Sequence, residues 1–185
     1  MLASASPRRA RILESLGIPF RVRVAHVDES LLPAEDGALA AERLARLKAL
    51  VVSPTEALPV LAADTLVLCD GRILGKPDSA ADARAMLRGL AGRSHEVVTG
   101  VCLVALGHAR SAQERTTVSL GAMSDTEIEW YVATGEPLDK AGAYHVDGLG
   151  ALFVASVQGS PSNVEGLPVR LVSRLAAEAG LRLFT

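Results

Sequence analysis

The spacing of hydrophobic and polar residues predicts strands and helices that alternate along the chain. In the stretch PFRVRVAHVDE, apolar residues recur at every second position, which is typical of a half-buried strand ending at Asp28 and Glu29. Residues 38–52 predict an amphipathic helix with Lys48 beside its apolar face. The larger apolar residues near that face are Leu39, Leu44, Leu47 and Val51.

The first helix has clear start and stop signals. Ser6 is a good N-cap, and Pro7 suits the first helical position because its missing N–H has no partner to lose there. Gly17 is the usual residue after a helix end, so we predict a helix from Pro7 to about Leu16. Before it, residues 2–3 predict a short strand that leads into the loop SAS.

The rest of the chain alternates in the same way. An Asp-Gly pair at 70–71 joins two apolar runs and predicts a β-hairpin, after which a helix is expected over about 79–90. HEVVTGVCLVAL and RTTVSLGAM predict two adjacent strands, and Ser124 and Glu127 form a capping box for a helix that Gly135 closes. GALFVASVQG predicts a last strand, SPSNVEG a loop and LPVRLVSRLAAEAG the closing helix. This order favours an α/β fold with a mixed sheet flanked by helices.

Length and composition set the broad class of protein. At 185 residues and 49% hydrophobic content, the chain is expected to form a single domain over residues 1–185. It has no apolar run of about 18 residues and no secretory signal in its first residues, so we expect a cytoplasmic protein that does not enter a membrane. Cys69 and Cys102 lie in apolar runs without metal-type spacing, which predicts reduced core residues.

Charge and aromatic content weigh against polymeric nucleic acid as a partner. The net charge is −2 and only 3% of residues are aromatic, so any phosphate binding must be local. The 19 cations include three lysines, which are Lys48, Lys76 and Lys140. Two explanations stay open: lysine is retained where a compact ammonium is needed, or these positions are lysine by chance.

The start of the first helix is cationic. Arg8, Arg9 and Arg11 lie in its first turn, where the helix dipole favours acidic residues. The hydroxyls of Ser4 and Ser6, the unpaired backbone N–H groups and the forked donors of Arg8 and Arg9 would together suit phosphate oxygens. The alternative is that the hydroxyls only cap the helix and the arginines are solvated. Because cations oppose the dipole there, the anion site is favoured.

Asp64 is a candidate base or metal ligand. It lies inside the apolar stretch VLAADTLVL, where a carboxylate is costly to bury unless it is hydrogen-bonded, paired or bound to metal. Lys76, across the predicted hairpin, is a candidate partner for it. The alternative is a strand-end Asp that caps a nearby loop.

Several common catalytic motifs are absent. GRILGKP resembles a Walker A loop, but three residues rather than four separate its glycines, and a proline replaces the Ser or Thr that binds Mg²⁺. G-x-G-x-x-G, G-x-S-x-G and HExxH do not occur, which removes the commonest dinucleotide, esterase and zinc-protease interpretations. We interpret His145 and the other histidines as ordinary polar residues.

Six segments of the chain form an ordered series: LASASPRRARIL, HVDES, RLARLKA, AADTLVLCDGRILGKP, VVTGV and PLDKAGAYHVDGLGALFVASVQGSPSNVEGLPV. In this order they resemble the motifs of the Maf family of nucleoside triphosphate pyrophosphatases, and all three lysines lie within them. The resemblance implies a mixed-sheet α/β fold with a cleft, like that of the inosine triphosphate pyrophosphatases, and often a homodimer. It also implies hydrolysis of a nucleoside triphosphate between its α and β phosphates, with a divalent cation, Mg²⁺ or Mn²⁺.

The same resemblance assigns roles to residues. Asp64 would accept the proton of the attacking water, with Lys76 in the catalytic set, and Glu29 and Asp64 would lie on the metal side. Arg9, Lys48 and Lys76 would neutralise the polyphosphate. The positions linked to the choice of base are Arg8, Thr65 and Asp147. The other substrate-binding residues are Ser4, Ser6 and Lys140.

Within the family, SPRR, ADT and DKAGAY resemble the branch that acts on dTTP and UTP. The branch that acts on 7-methyl-GTP tends to have an aromatic residue after the first-motif Pro and Gln after the Asp. The chain departs from its own branch at Asp147, where Gln is usual; an ionised Asp accepts hydrogen bonds but does not donate them. We expect a house-cleaning enzyme that hydrolyses dTTP, UTP or modified nucleotides. The alternative is a nucleotide-binding regulator of septum formation and cell-division arrest without turnover.

Overall fold

Five strands form one sheet in a computed structural model that describes residues 1–183. The strands are β1 (Val60–Cys69), β2 (Arg72–Leu74), β3 (Ser94–Ala105), β4 (His108–Leu120) and β5 (Val154–Gln158). Their order is β2-β1-β3-β4-β5, with β2 antiparallel to β1 and β5 antiparallel to β4. Leu2 adds parallel bridges to Val22 and Leu61. The prediction of an α/β fold with a mixed sheet is therefore confirmed.

Six helices accompany the sheet within residues 1–183, together with four short 3₁₀ turns. The helices are α1 (Pro7–Ser15), α2 (Gly37–Val52), α3 (Ala80–Leu90), α4 (Asp125–Ala133), α5 (Pro161–Val164) and α6 (Val169–Glu178). The 3₁₀ turns are Ser53–Thr55, Glu136–Asp139, Ala141–Ala143 and Leu149–Phe153. Ser6 caps α1, and the capping box of Ser124 and Glu127 begins α4, as predicted.

The chain divides into two compact units. The first comprises Met1–Thr65, Thr99–Glu114 and Ser162–Thr185, and the second comprises Leu66–Val98 and Arg115–Pro161. The single domain over residues 1–185 stays a prediction.

In the first unit, helices cover both faces of the sheet. One core cluster joins odd-numbered residues of β1 to α1 and α6, and it includes Leu61, Ala63, Ile12, Leu13, Leu171 and Leu175. A second cluster joins even-numbered residues of β1 to α2, and it includes Val60, Ala62, Ala45, Ala49 and Val52. Because alternate strand residues point to opposite faces, α2 lies across the sheet from α1 and α6.

The buried face of α2 differs from the predicted one. Leu44 is buried as predicted, but Leu39 and Val51 are 60% and 50% exposed, and the other buried positions are mainly alanines, with Lys48 among them. The reason lies at Gly100 of β3, where an added Cβ would come within 2.2 Å of the Ala41 carbonyl oxygen. The helix backbone lies directly against the strand, so only small residues fit between them.

The predicted strand over PFRVRVAHVDE is wrong. Only Val22 makes a bridge, and it pairs with Leu2 alone. Val22 and Val24 are 52% and 42% exposed, whereas Phe20 is half-buried against the core cluster of α1 and α6. Alternation alone therefore did not produce a strand, because the apolar side is buried over only part of its length.

Two boundaries near the end of the chain also differ from the prediction. The first part of GALFVASVQG is the 3₁₀ turn Leu149–Phe153, and β5 begins only at Val154. The predicted loop SPSNVEG contains the short α5. Cys102 is buried as predicted, whereas Cys69 is half-buried, and both are free thiols. No helix within residues 1–183 is long and apolar enough to cross a membrane.

Candidate active site

Arg9 folds back into the protein from the first turn of α1. Its Nε donates to the Gly166 carbonyl over 2.8 Å, its Nη1 to Ser4 Oγ over 3.1 Å and its Nη2 to Thr65 Oγ1 over 3.0 Å. Ser4 Oγ also accepts from the backbone N–H of Ser6 over 3.1 Å. The side chain is therefore held by two loops and a strand rather than solvated.

The electrostatic setting of Arg9 favours an anionic ligand. None of the hydrogen bonds that Arg9 makes within residues 1–183 goes to a carboxylate; all go to neutral oxygens. Burial lowers the pKa of the Arg9 guanidinium most strongly. The negative charges of Asp64 and Glu29 raise this pKa, and the positive charge of Arg8 lowers it further. Because arginine keeps its proton even so, Arg9 remains a buried cation that pairs directly with no carboxylate among residues 1–183. Phosphate oxygens are suited to that role.

A second cluster places a lysine between two carboxylates. Lys48 Nζ on α2 lies 2.6 Å from Asp64 Oδ1 on β1 and 2.6 Å from Glu29 Oε2 in the preceding loop. Lys48 and Asp64 are each 7% exposed, whereas about half of the Glu29 side chain is accessible. The sequence indicated Lys76 as the candidate partner of Asp64; the partner in the structure is Lys48.

The two clusters meet at consecutive residues of β1. Thr65 contacts Arg9, and its neighbour Asp64 contacts Lys48. The first unit thus combines a buried carboxylate, a carboxylate that solvent reaches and two buried cations. Such a set can orient a water molecule beside an anionic phosphoryl group. Arg8 is half-buried and Arg11 is exposed, so of the three arginines it is Arg9 that turns inward.

Three residues of this site escaped the sequence analysis. Thr99 hydrogen-bonds Thr65, Asn163 supplies a carbonyl to Thr99, and Gly166 supplies one to Arg9. All three lie in segments that the sequence placed in a strand or a loop and in the family motifs, without a role for these residues. A signal was present, because a lone threonine in the apolar run VVTGV must find a hydrogen bond when buried.

The other predicted site residues lie in the second unit. Lys76 is exposed, and Lys140 Nζ bonds Asp139 and the Glu136 carbonyl. Asp147 is exposed on a turn whose following residues, Leu149 and Gly150, donate backbone N–H bonds to the Glu136 carboxylate over 3.0 and 2.9 Å. The joint action of Lys76, Lys140 and Asp147 with Asp64 stays a prediction.

The donor set for a metal ion is small. Within residues 1–183 no group of three or more His, Cys, Asp or Glu side chains is placed to hold a metal ion. Glu29 and Asp64 supply two carboxylates, and Lys48 lies between them. Mg²⁺ is commonly bound by one or two carboxylates together with substrate phosphates, so this donor set fits a cation that arrives with a polyphosphate.

Comparison with known proteins gives one matching family model and a set of similar proteins. A family model described as "Maf-like protein" matches residues 1–179. A protein of Anaeromyxobacter dehalogenans named dTTP/UTP pyrophosphatase is 50% identical over 99% of this chain and 95% of its own length. A protein of the same name from Symbiobacterium thermophilum is 46% identical over 100% of this chain and 96% of its own length. Another, from Moorella thermoacetica, is 49% identical over 98% of this chain and 95% of its own length. A solved dITP/XTP pyrophosphatase from Mycobacterium abscessus aligns with a TM-score of 0.42 at 16% identity, over 97% of this chain and 93% of that one.

Proposed function

Because this chain belongs to the Maf-like family, we propose that it is a dTTP/UTP pyrophosphatase. It would hydrolyse the α–β phosphoanhydride of these nucleotides and release the nucleoside monophosphate and pyrophosphate. The names of relatives about half identical over nearly their whole length support this assignment, as do the segments SPRR, ADT and DKAGAY. The pairing of buried Asp64 with Lys48, one residue along β1 from the contact of Thr65 with buried Arg9, is the observation that carries the proposal.

In the proposed reaction, the chain supplies a base and a set of cations. Water adds to a phosphorus of the α–β anhydride, the anhydride bond breaks, pyrophosphate leaves and the proton passes to Asp64. Lys48 orients the Asp64 carboxylate through the 2.6 Å contact. Arg9 binds phosphoryl oxygens, where fixed positive charge stabilises the charge that develops during transfer.

A divalent cation, Mg²⁺ or Mn²⁺, would be held by Glu29 and Asp64 together with phosphate oxygens. When bound, it would neutralise phosphate charge and polarise the phosphoryl oxygens. The chain's own part is to offer two carboxylates, and Lys48, which contacts both, neutralises only part of their charge. Lys76 and Lys140 would complete the neutralisation, and Arg8, Thr65 and Asp147 would influence the choice of base.

Pyrophosphate release from a nucleotide panel tests the proposal. We expect release from dTTP and UTP with Mg²⁺ or Mn²⁺, at rates above those with CTP, GTP and 7-methyl-GTP. Thermal shift with the same nucleotides should accompany turnover. Nucleotide binding without pyrophosphate release would favour the regulatory alternative, and the absence of both would contradict any nucleotide function.

A further inference from the structure

Thr99 of β3 ends a chain of hydrogen bonds that begins at Arg9. Arg9 Nη2 donates to Thr65 Oγ1 over 3.0 Å, the two threonine hydroxyls lie 2.9 Å apart, and Thr99 Oγ1 donates to the Asn163 carbonyl over 3.0 Å. Thr99 is 0% exposed, so its hydroxyl relies on partners inside the protein.

The two ends of this chain fix the direction of every bond in it. A guanidinium only donates, a carbonyl only accepts, and a hydroxyl has one proton. Because Thr99 donates to the Asn163 carbonyl, Thr65 must donate to Thr99. Thr65 then accepts from Arg9 and has no second proton to offer. The order of donation therefore runs from Arg9 through Thr65 and Thr99 to Asn163.

The turn at residues 163–166 closes this chain into a ring. Arg9 Nε donates to the Gly166 carbonyl over 2.8 Å, and the Gly166 N–H donates to the same Asn163 carbonyl that Thr99 uses, over 2.9 Å. Gly166 has φ +102°, and an added Cβ would lie 3.2 Å from Thr65 Oγ1. The turn at residues 163–166 thus holds the Arg9 guanidinium at two points. It contacts Nε directly and contacts Nη2 through the hydroxyls of Thr65 and Thr99.

We propose that Thr99 is a positioning residue that holds the Arg9 guanidinium, through Thr65, in the orientation that receives the substrate phosphates. The inference rests on the proposed function, since it requires Arg9 to bind phosphate. It also gives the Thr65 hydroxyl a defined task. Its one proton is committed to Thr99, so Thr65 supports Arg9 and would influence the choice of base without donating a hydrogen bond to it.

Thr99→Val tests this role, because it keeps the shape of the side chain and removes the hydroxyl. The binding of inorganic tripolyphosphate, measured by calorimetry, reports on phosphate recognition without a base, and KM and kcat for dTTP and UTP report on turnover. We expect T99V to weaken tripolyphosphate binding about tenfold, the usual effect of losing one buried hydrogen bond. KM for dTTP and UTP should rise by the same factor, with a smaller change in kcat, and Thr99→Ser should restore both.

Thr116→Val is the matched control. Thr116 is 1% exposed and belongs to the second unit, where its hydroxyl donates to the Ser160 carbonyl over 3.2 Å. This variant should lower the melting temperature without weakening tripolyphosphate binding. If T99V does not fold, Thr99→Cys replaces it, since a thiol is a poorer donor and acceptor.

Two results would overturn the inference: tripolyphosphate binding by T99V equal to that of the wild type, or a changed dTTP-to-UTP ratio with unchanged tripolyphosphate binding. A wild-type protein that does not bind tripolyphosphate would overturn it as well. The wild-type protein could bind tripolyphosphate, and T99V weaken this binding, while neither releases pyrophosphate from nucleotides. That result would support the role of Thr99 and contradict only the proposed turnover.

Discussion

An arginine in each unit shows how differently the two parts of the molecule treat charge. In the second unit, Arg93 bonds both carboxylate oxygens of Asp70 at 2.7 and 2.6 Å, and this hydrogen bonding raises the pKa of Arg93. In the first unit, Arg9 is buried against neutral oxygens, and burial lowers its pKa. The exposed arginine pairs directly with a carboxylate, whereas the buried one, as far as residues 1–183 show, bonds neutral oxygens and feels the charges of Asp64 and Glu29 only at a distance.

Buried polar groups follow the same contrast. The second unit buries His95 and Tyr144, which share a 2.8 Å hydrogen bond; burial lowers the pKa of His95 to about 4 and raises that of Tyr144 above its usual value, so both are neutral near pH 7. The first unit instead buries Lys48 and Asp64 as an ion pair. Buried ion pairs stabilise a fold poorly, because desolvation offsets much of their attraction. Their presence in one unit therefore indicates chemistry there, and the neutral pair indicates structure.

Asp64→Asn in the first unit should lower activity far more than a matched substitution in the second unit, and this is the largest effect that we expect. It removes the proposed base but keeps the shape of the side chain, so we expect pyrophosphate release to fall by about 10²- to 10⁴-fold while the fold is retained. Asp70→Asn is the control, because it also neutralises an ion-paired aspartate of the β1–β2 hairpin, and Asn tolerates the positive φ of 50° found there. Near-normal release from D64N, measured beside D70N, would contradict the role of Asp64.

Lys48→Met should test both the orientation of Asp64 by Lys48 and the competition of Lys48 with a metal ion for Glu29 and Asp64. Methionine keeps the buried stem and leaves Glu29 and Asp64 without their cation, so the nucleotide-free variant should bind Mn²⁺ at least about tenfold more tightly than the wild type, as measured by electron paramagnetic resonance. Mn²⁺ should also raise its melting temperature. Turnover should fall about 10²-fold, because Asp64 loses the contact that orients its carboxylate.

Arg46→Met serves as the control for Lys48. Arg46 is an exposed cation on the same helix, so its loss should leave both Mn²⁺ binding and turnover near wild type. Equal Mn²⁺ affinity in K48M and the wild type would show that Lys48 does not compete with a cation between the carboxylates.

The sequence allowed prediction of the local elements of this site but not of its pairings. Caps and turn residues located α1 and the hairpin, since these signals act within a few residues. The partner of Asp64 depends on how α2 packs, and that packing is set by alanines against Gly100. Alanine carries a weak hydrophobic signal, so Leu39 and Val51 were assigned to the buried face although both are exposed. Close approach of backbones, unlike periodicity, is not visible in one sequence.

Substitution of His95, the neutral histidine of the second unit, should have the next largest effect, which is on the pH dependence of stability. The unfolded state binds a proton at His95 near pH 6.5, whereas the folded state does so only near pH 4. The contribution of His95 to the free energy of unfolding should therefore be constant above pH 6.5, fall by about 3 kcal/mol as the pH drops from 6.5 to 4, and level off below. In His95→Gln this fall should disappear from denaturant titrations, whereas the exposed His108→Gln should retain it. An unchanged pH profile in H95Q would show that burial does not keep His95 neutral.

Asp147→Gln should have the smallest effect, confined to substrate preference. Asp147 is exposed, and the turn around it is held by Glu136 through the backbone of Leu149 and Gly150, so the substitution should leave the melting temperature unchanged. A glutamine amide both donates and accepts, whereas the carboxylate only accepts, so the dTTP-to-CTP and UTP-to-CTP ratios of kcat/KM should change by up to about tenfold. Glu178→Gln, an exposed charge removal on α6, should leave these ratios unchanged. Identical ratios in D147Q and the wild type would remove Asp147 from base selection, and the second unit would then lack its proposed contact with the base.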